Sequence, residues 1–352
     1  MSFLDDLTSL HTVDRSNMAE ELRLLPARVR EAVEAPFPSI GIDGRALTTI
    51  AVIGLGGSAI GGDLAAAMVA HQCPLPIIVL RSSVLPDWVQ PSTLVIAVSY
   101  SGNTAETVKA YLQAKARGCP LVAIASGGKL AAHAAADGTL LLSPGSYPQP
   151  RLAVGAITVL ILKVISTITG TACDVMCNAM SDAFLKITSS VTQEVPTEQN
   201  PAKLLAHQLL DRLSLVVAGG LLAPAARRWK TQMNENAKSL CVVEEAPELF
   251  HNTLEGLKLP SVVSDLGTWV FLEAPSDQTV SMPQLDHFAA LLKESGLRVE
   301  RVRAPMNKPH EALWWIIGMG DWVSYYLACL NNVDPMPVST IQGFKRRAPL
   351  DA

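Results

Sequence analysis

Short, β-branched apolar runs alternating with helical stretches dominate the chain from residue 48 onward. Runs at 50–53, 77–80, 94–98, 121–125 and 139–142 are bounded by glycine, proline or serine and predict buried strands. Helical patterns fall between most of them, which predicts a parallel sheet covered on both faces. A long apolar segment, 152–172, follows Arg151 and closes this first domain. Lys163 interrupts it, and Gly155, Ser166, Thr167 and Thr169 dilute it, so a helix buried inside a domain fits better than a membrane span.

The pattern differs at the start and changes again near the middle. Residues 1–40 are polar and helical, with Met18, Leu22, Leu25, Val29 and Val33 forming one apolar stripe that Pro26 should kink or restart. Residues 190–204, including Val195-Pro196 and Gln199-Asn200-Pro201, read as a linker. A second α/β pattern begins at 213–218. Gly219-Gly220 follows, then a helix from about Pro224 to Lys238, strands at 240–243, 269–272 and 299–302, and a last long helix at 311–330. Strand, paired glycines and helix thus occur at 50–70 and again at 213–238, two copies of one architecture. The expected fold is α/β: a helical arm (1–40), a first doubly wound parallel-sheet domain (41–190), a linker (191–204) and a second such domain (205–352). Two such domains face to face would leave a crevice at the carboxyl ends of their strands.

Composition narrows the partners. The chain has 352 residues, 49% hydrophobic and 17% charged, enough for two domains with full cores. A net charge of -4 argues against nucleic acid or an acidic membrane as the main partner. The few aromatics offer no stacking platform for single strands. Six cysteines, at 73, 119, 173, 177, 241 and 329, include no Cys-x-x-Cys pair, and no basic start precedes an apolar leader. Reduced, buried thiols in a cytoplasmic protein are the natural reading. No metal is expected: Cys173 and Cys177 could share a helix face but lack further ligands, and His310-Glu311 opens like a zinc-protease helix whose second histidine is replaced by Trp314. Arg227-Arg228-Lys230 and Arg346-Arg347 read as solvated faces.

The candidate chemistry begins where the strand at 94–98 stops. Ser99-Tyr-Ser-Gly-Asn-Thr104 gathers hydroxyls at Ser99, Ser101 and Thr104 ahead of a helix that Thr104 could cap. Hydroxyls and free N–H groups at a helix N-terminus suit an anion, phosphate above all, although an ordinary capped turn has the same composition. The earlier loop, Gly54-Leu-Gly-Gly-Ser-Ala-Ile-Gly-Gly62, fits a dinucleotide fingerprint loosely, but Arg81 stands where an acidic ribose-binding residue is expected. Arg81 could suit a 2′-phosphate, so a reductase using the phosphorylated nicotinamide cofactor stays open. Ser58 and the hydroxyl loop favour a single compact phosphate. In the second half, Glu235 lies between two asparagines at a helix end and is a candidate general base, though a solvated helix end is equally consistent. His251, after Pro247-Glu-Leu-Phe, could move protons near neutral pH; in isolation a packing or capping histidine is the simpler reading.

Taken together, these pieces resemble the bifunctional phosphoglucose/phosphomannose isomerase family, built from two SIS (sugar isomerase) domains. The first half carries the glycine loop 54–62, Ser99-Tyr-Ser-Gly-Asn-Thr104 and Pro150-Arg151. The second carries Arg228-Trp-Lys-Thr-Gln-Met-Asn-Glu-Asn-Ala-Lys238, Glu248-Leu-Phe-His-Asn252 and the tail from Val333-Asp334-Pro335 to Lys345. The resemblance implies a phosphate pocket from Gly56, Gly57, Ser58, Ser99, Ser101 and Thr104. It implies Glu235 as the base moving a proton between C2 and C1 and Arg151 facing the enediolate. His251 would open the sugar ring from the partner subunit of a homodimer, and Lys345 would assist at the ring oxygen. The implied activity is a metal-independent, cofactor-free aldose–ketose isomerase interconverting glucose 6-phosphate, and mannose 6-phosphate, with fructose 6-phosphate through a cis-enediol. A non-catalytic sugar-phosphate binder on the same domains is the alternative, with the NADP-dependent reductase behind it. One departure stands out: the family often has an acidic residue directly after His-Asn, where this chain has Thr253.

Overall fold

The computed structural model describes residues 2–347. Five parallel strands, β1 (Thr49–Ile53), β2 (Ile77–Leu80), β3 (Thr93–Val98), β4 (Leu121–Ile124) and β5 (Leu140–Leu142), form one sheet in the order β2-β1-β3-β4-β5. β1 pairs in register with both neighbours, Val52 opposite Val79 on one side and Ile96 on the other. The chain winds outward from β1 in one direction and then from β3 in the other, so the sheet switches direction between these two strands. β3 is buried at every position, as a central strand covered on both faces must be.

The segment 54–62 is not all loop, as its glycines suggested. A helix spans Gly57–Val69. Gly61 and Gly62 lie inside it, and glycine is required there because a β-carbon at Gly61 would come within 2.6 Å of Ile157 Cγ2, and one at Gly62 within 2.8 Å of Val52 Cγ1. They permit close packing, at the helix cost of roughly 0.5–1 kcal/mol each relative to alanine. The apolar segment forms the short turn Pro150–Ala153 and the helix Val154–Thr169, buried without a break from Val154 to Leu162. Its one charge has a defined place: Lys163 Nζ donates to the Ala32 and Ala35 carbonyls at 3.0 and 2.9 Å. Those carbonyls end the helix Met18–Glu34, where a cation complements the dipole. Thr167 and Thr169 bond back to carbonyls four residues earlier, which is how hydroxyls are accommodated in an apolar helix.

The second sheet repeats the plan. β6 (Leu213–Gly219), β7 (Cys241–Ala246), β8 (Gly267–Glu273) and β9 (Arg298–Arg303) are all parallel in the order β7-β6-β8-β9, so β6 occupies the place of β1. Trp269, Phe271 and Phe288 fill the core on one face, with ring centroids 5.6 Å from Phe288 in both pairs. The last long helix starts two residues before the expected point, Pro309–Leu330, and is buried from Ala312 to Cys329 apart from Trp315. Its single buried acid, Asp321, accepts from Arg228 Nη2 at 2.8 Å and Gln232 Nε2 at 3.0 Å, and Arg228 is 1% exposed. Arg228 therefore does not belong to a solvated basic face: a charge on an apolar helix recruits it, since an unpaired buried carboxylate is costly.

Two compact units result. One holds the five-stranded sheet and comprises Ala27–Asn178 with the segment from Ser339 on; the other holds the four-stranded sheet and comprises the chain up to Pro26 with Ala179–Val338. The N-terminal region is less helical than its pattern suggested. Helices span Leu7–Val13 and Met18–Glu34, residues 35–43 form none, and Pro26 lies inside the second helix without ending it. Residues 191–204 do not stand apart as a connector. Asn200, fully buried, caps the helix Pro201–Leu209, and Lys203, also fully buried, donates to Asp5 and to the Gln193 carbonyl at 3.1 and 2.8 Å.

Candidate active site

In the five-stranded unit the hydroxyl-bearing loops leave the carboxyl ends of β1 and β3, at the switch in sheet direction. Gly56 turns the chain with φ +54° into the helix Gly57–Val69, whose first turn carries Ser58. Ser58 Oγ accepts from the Tyr100 N–H at 3.3 Å, tying the two loops together. Ser99, fully buried, donates from Oγ to Thr104 Oγ1 at 3.0 Å and accepts from the Thr104 N–H at 3.4 Å. Thr104 stands at the N-cap of the helix Ala105–Ala116, but its hydroxyl is engaged with Ser99 and does not cap. Ser101 is exposed and accepts from the Asn103 N–H at 3.3 Å. Gly102, with φ +68°, passes so close to the Gly127 carbonyl that any β-carbon would collide with it.

Arg151 reaches the same place. It lies in the Pro150–Ala153 turn, 3% exposed, and its Cα would stand 3.2 Å from a β-carbon at Gly57. Gly57 is therefore the residue that lets the Arg151 turn rest on the first turn of the helix that carries Ser58. Two helix N-termini and the hydroxyls of Ser58, Ser99, Ser101 and Thr104 thus gather at one end of the sheet, with the nearly buried Arg151 on the adjoining turn, a setting chemically suited to a compact anion. Tyr100, which sequence patterning did not single out, closes the loop from outside: its hydroxyl donates to the Tyr147 carbonyl at 2.7 Å and accepts from the Tyr147 N–H at 2.6 Å. Arg81, the residue suited to a 2′-phosphate, instead pairs with Asp63 of the adjoining helix.

The four-stranded unit carries the acid–base candidates. Glu235 is the last residue of the helix Ala223–Glu235, half-buried, and this helix ends three residues before the expected Lys238. Its flanks are fixed, unlike those of a solvated helix end. Asn234 Oδ1 accepts from the Cys241 N–H at 3.1 Å, and Asn236, fully buried, donates to Ser324 Oγ at 3.0 Å. Glu235 therefore lies beside the start of β7, not at the carboxyl edge of the sheet where a crevice was expected.

His251 lies at the other end of β7. Leu249 is buried beneath the turn Glu248–His251, and Phe250 packs edge-on to Phe288 at 6.0 Å, which leaves the imidazole on the outside. Thr253 donates to Glu244 Oε2 at 2.6 Å, and Asn252 donates to Glu248 Oε1 at 2.9 Å. Six residues of strand, about 20 Å at 3.3 Å per residue, separate the two ends. One chain thus holds Glu235 near the start of β7 and His251 in the turn beyond its end, with Thr253 tied back to Glu244 within the strand. Lys345 is exposed in the helix Ser339–Arg347.

Residues 47–162 match the SIS domain family, and residues 198–347 match the bacterial phospho-glucose isomerase C-terminal SIS domain. A bifunctional phosphoglucose/phosphomannose isomerase from Caldicellulosiruptor bescii is 35% identical over 94% of this chain and 98% of its own length. The chain belongs to the bifunctional phosphoglucose/phosphomannose isomerase family. A second such isomerase, from Thermoplasma acidophilum, is 29% identical over 94% of this chain and 96% of its own. The fold is shared with a glucose-6-phosphate isomerase like protein from Thermus thermophilus, at TM-score 0.64 and 22% identity over 99% of this chain and 100% of that one.

Membership of the phosphoglucose/phosphomannose isomerase family puts one departure in context. Where Thr253 replaces the acidic residue often found after His-Asn, the structure brings a carboxylate to the same turn from β7, through the Thr253–Glu244 bond. Nothing in the local sequence pattern singles out Asp277, which the fold brings to the second glycine turn. In the four-stranded unit the turn equivalent to the phosphate loop is Gly219-Gly220-Leu221, and there the Asp277 carboxylate accepts from the Leu221 N–H at 3.1 Å. Its other oxygen accepts from the Thr279 N–H and hydroxyl at 2.9 and 2.6 Å. The acid lies after β8, as Ser99 lies after β3, so the duplicated turn already holds an internal anion. Among the described residues, no group of three or more His, Cys, Asp or Glu is placed to hold a metal ion.

Proposed function

We propose that this protein interconverts glucose 6-phosphate and mannose 6-phosphate with fructose 6-phosphate through a cis-enediol. The observation that carries the reading is the convergence of Ser58, Ser99, Thr104 and Arg151 on paired helix N-termini of the five-stranded unit. Phosphate binding belongs to those hydroxyls and to the amides of Gly56 and Gly57, with Ser101 at the rim. Glu235 removes the C2 proton of the open-chain aldose and returns it to C1, while a proton moves from O2 to O1, so no atom is lost and no external reductant enters. The C2 proton is a weak acid, and the Arg151 guanidinium supplies charge where the enediolate oxygens develop, a contribution of several kcal/mol at comparable oxyanion sites. His251 opens the ring as acid–base, and Lys345 assists at the ring oxygen.

The separation of Glu235 and His251 along β7 supports a homodimer in which His251 of the partner subunit serves each site. The six unpaired cysteines, five of them buried, support a reducing, cytoplasmic setting.

The test is Glu235→Gln. It should lose at least about 10³-fold in kcat for fructose 6-phosphate, within the range spanned by general-base and positioning effects together. Sugar-phosphate affinity, measured by calorimetry, should stay within about threefold. Full turnover by this variant would remove the assignment of the base, and loss of phosphate binding would tie Glu235 to the cradle instead.

A further inference from the structure

Asn234, Asn236 and Lys238 around Glu235 each make fixed contacts, and those of Lys238 are the least expected. Its backbone has φ +56°, the left-handed region that glycine or asparagine ordinarily takes just past a helix end. A non-glycine residue held there by the surrounding structure is a reason to look for function. Glycine would satisfy the turn, so the side chain must matter. Its ammonium turns back onto the carbonyl of Glu235 itself and also donates to the carbonyls of Pro337 at 2.7 Å and Pro335 at 3.3 Å. An ammonium has three N–H donors, and here it meets three backbone carbonyls. Arginine can still donate to these carbonyls, whereas an aliphatic side chain would remove the cation's hydrogen bonds to them.

We infer that Lys238 is a positioning residue for the isomerisation: its ammonium fixes the peptide unit of Glu235 to the 335–337 segment and so sets the direction from which the carboxylate meets the substrate carbon. The inference rests on Glu235 being the base. Lys238 touches no reacting atom in this role. Other bonds hold the neighbouring residues, Asn331 Nδ2 to the Ala237 carbonyl at 2.9 Å and the Ser239 N–H to the Met233 carbonyl at 3.1 Å, so the helix end survives without the lysine. What changes is the aim of one side chain. A misplacement of about 1 Å can cost roughly 100-fold in rate while leaving remote binding contacts alone.

Lys238→Gly, Lys238→Met and Lys238→Arg, compared with Glu235→Gln, test this by steady-state kinetics with fructose 6-phosphate and by thermal unfolding. Lys238→Gly relieves the backbone and removes the ammonium. It should melt within a few degrees of the parent while kcat falls roughly 10- to 100-fold and KM stays within about twofold. Lys238→Met should show the same kinetic split, and Lys238→Arg should recover most of kcat. Parental kcat in Lys238→Gly, an equal loss in Lys238→Arg, or KM rising in step with the fall in kcat would each overturn the inference. If Glu235→Gln is inactive while Lys238→Gly is fully active, only the positioning role fails; an active Glu235→Gln removes the base and this role together.

Discussion

Ser99 has no exposed surface, yet it is the centre of the hydroxyl loop, because its one proton is already directed at Thr104. Thr104 is half-buried and accepts the Ser99 proton, so its own hydroxyl proton is directed elsewhere, and in the proposed site it is aimed at a phosphate oxygen. Thr104→Val keeps the shape and removes that hydroxyl, leaving the Ser99 proton without an acceptor. KM for fructose 6-phosphate should rise roughly tenfold, the equivalent of one neutral hydrogen bond, with kcat within about twofold. Steady-state kinetics checks it, and an unchanged KM would place the phosphate away from this hydroxyl. His310 poses a different residue-scale question. Its Nδ1 is buried with no hydrogen-bond partner among the described residues, and burial holds its pKa below the ordinary 6.5. The unfolded chain therefore takes up this proton at a higher pH than the fold does. Between the two values the unfolded state binds more protons, so stability must rise with pH there and be lost as pH falls below about 6.5. Urea unfolding at pH 7 and at pH 5 should show this loss, and His310→Phe should remove part of it.

The elements explain why two copies of one plan do different work. In both sheets a strand at the switch point runs into glycine (Gly54 just past β1, Gly219 at the end of β6) and leads to a helix, and in both the loop after the neighbouring strand bonds that turn. After β3 the loop brings hydroxyls; after β8 it brings Asp277, 8% exposed, whose carboxylate accepts from the Leu221 N–H of the glycine turn. Asp277→Ala leaves the buried Leu221 N–H and the Thr279 N–H without their acceptor and should cost about 1–3 kcal/mol of stability. Chemical denaturation measures it, and a variant as stable as the parent would deny the carboxylate its place. The strands themselves were legible in the sequence because β-branched runs bounded by turn residues have few other solutions, and β3 was located to within a residue. The catalytic candidates were legible as residue types in order along the chain. What could not be read were features whose cause lies far away in sequence. Residue 61 is glycine inside a helix because Ile157 lies where a β-carbon would go, Arg228 is buried because Asp321 stands opposite, and the Lys238 ammonium turns inward onto the carbonyls of Pro335 and Pro337. In each case the local pattern fitted the ordinary reading, loop or solvated face, and the deciding partner lay about 90–100 residues on.

At the scale of the whole molecule, a single chain places Glu235 near the first residue of β7 and His251 in the turn that follows its last. The proposed base and the proposed ring-opening acid, set toward opposite ends of a six-residue strand, meet on one hexose most simply when the acid comes from a second chain. Closed two-fold symmetry offers the simplest remedy, since in an isologous dimer each chain gives to its partner what it receives. This has a consequence that no monomeric arrangement shares. Glu235→Gln and His251→Ala homodimers should each be inactive, the second at least towards the ring-closed substrate. Co-expressed, they form mixed dimers in which one site carries both lesions and the other carries neither. With random pairing half the dimers are mixed and half their sites are intact, so activity should return to about a quarter of the parental value. Differently tagged chains purified in tandem would isolate the mixed dimer and raise this to about one half. If the co-expressed pair stays as inactive as its parents while size-exclusion chromatography confirms mixed dimers, His251 acts within its own chain or not at all, and the dimeric site is wrong.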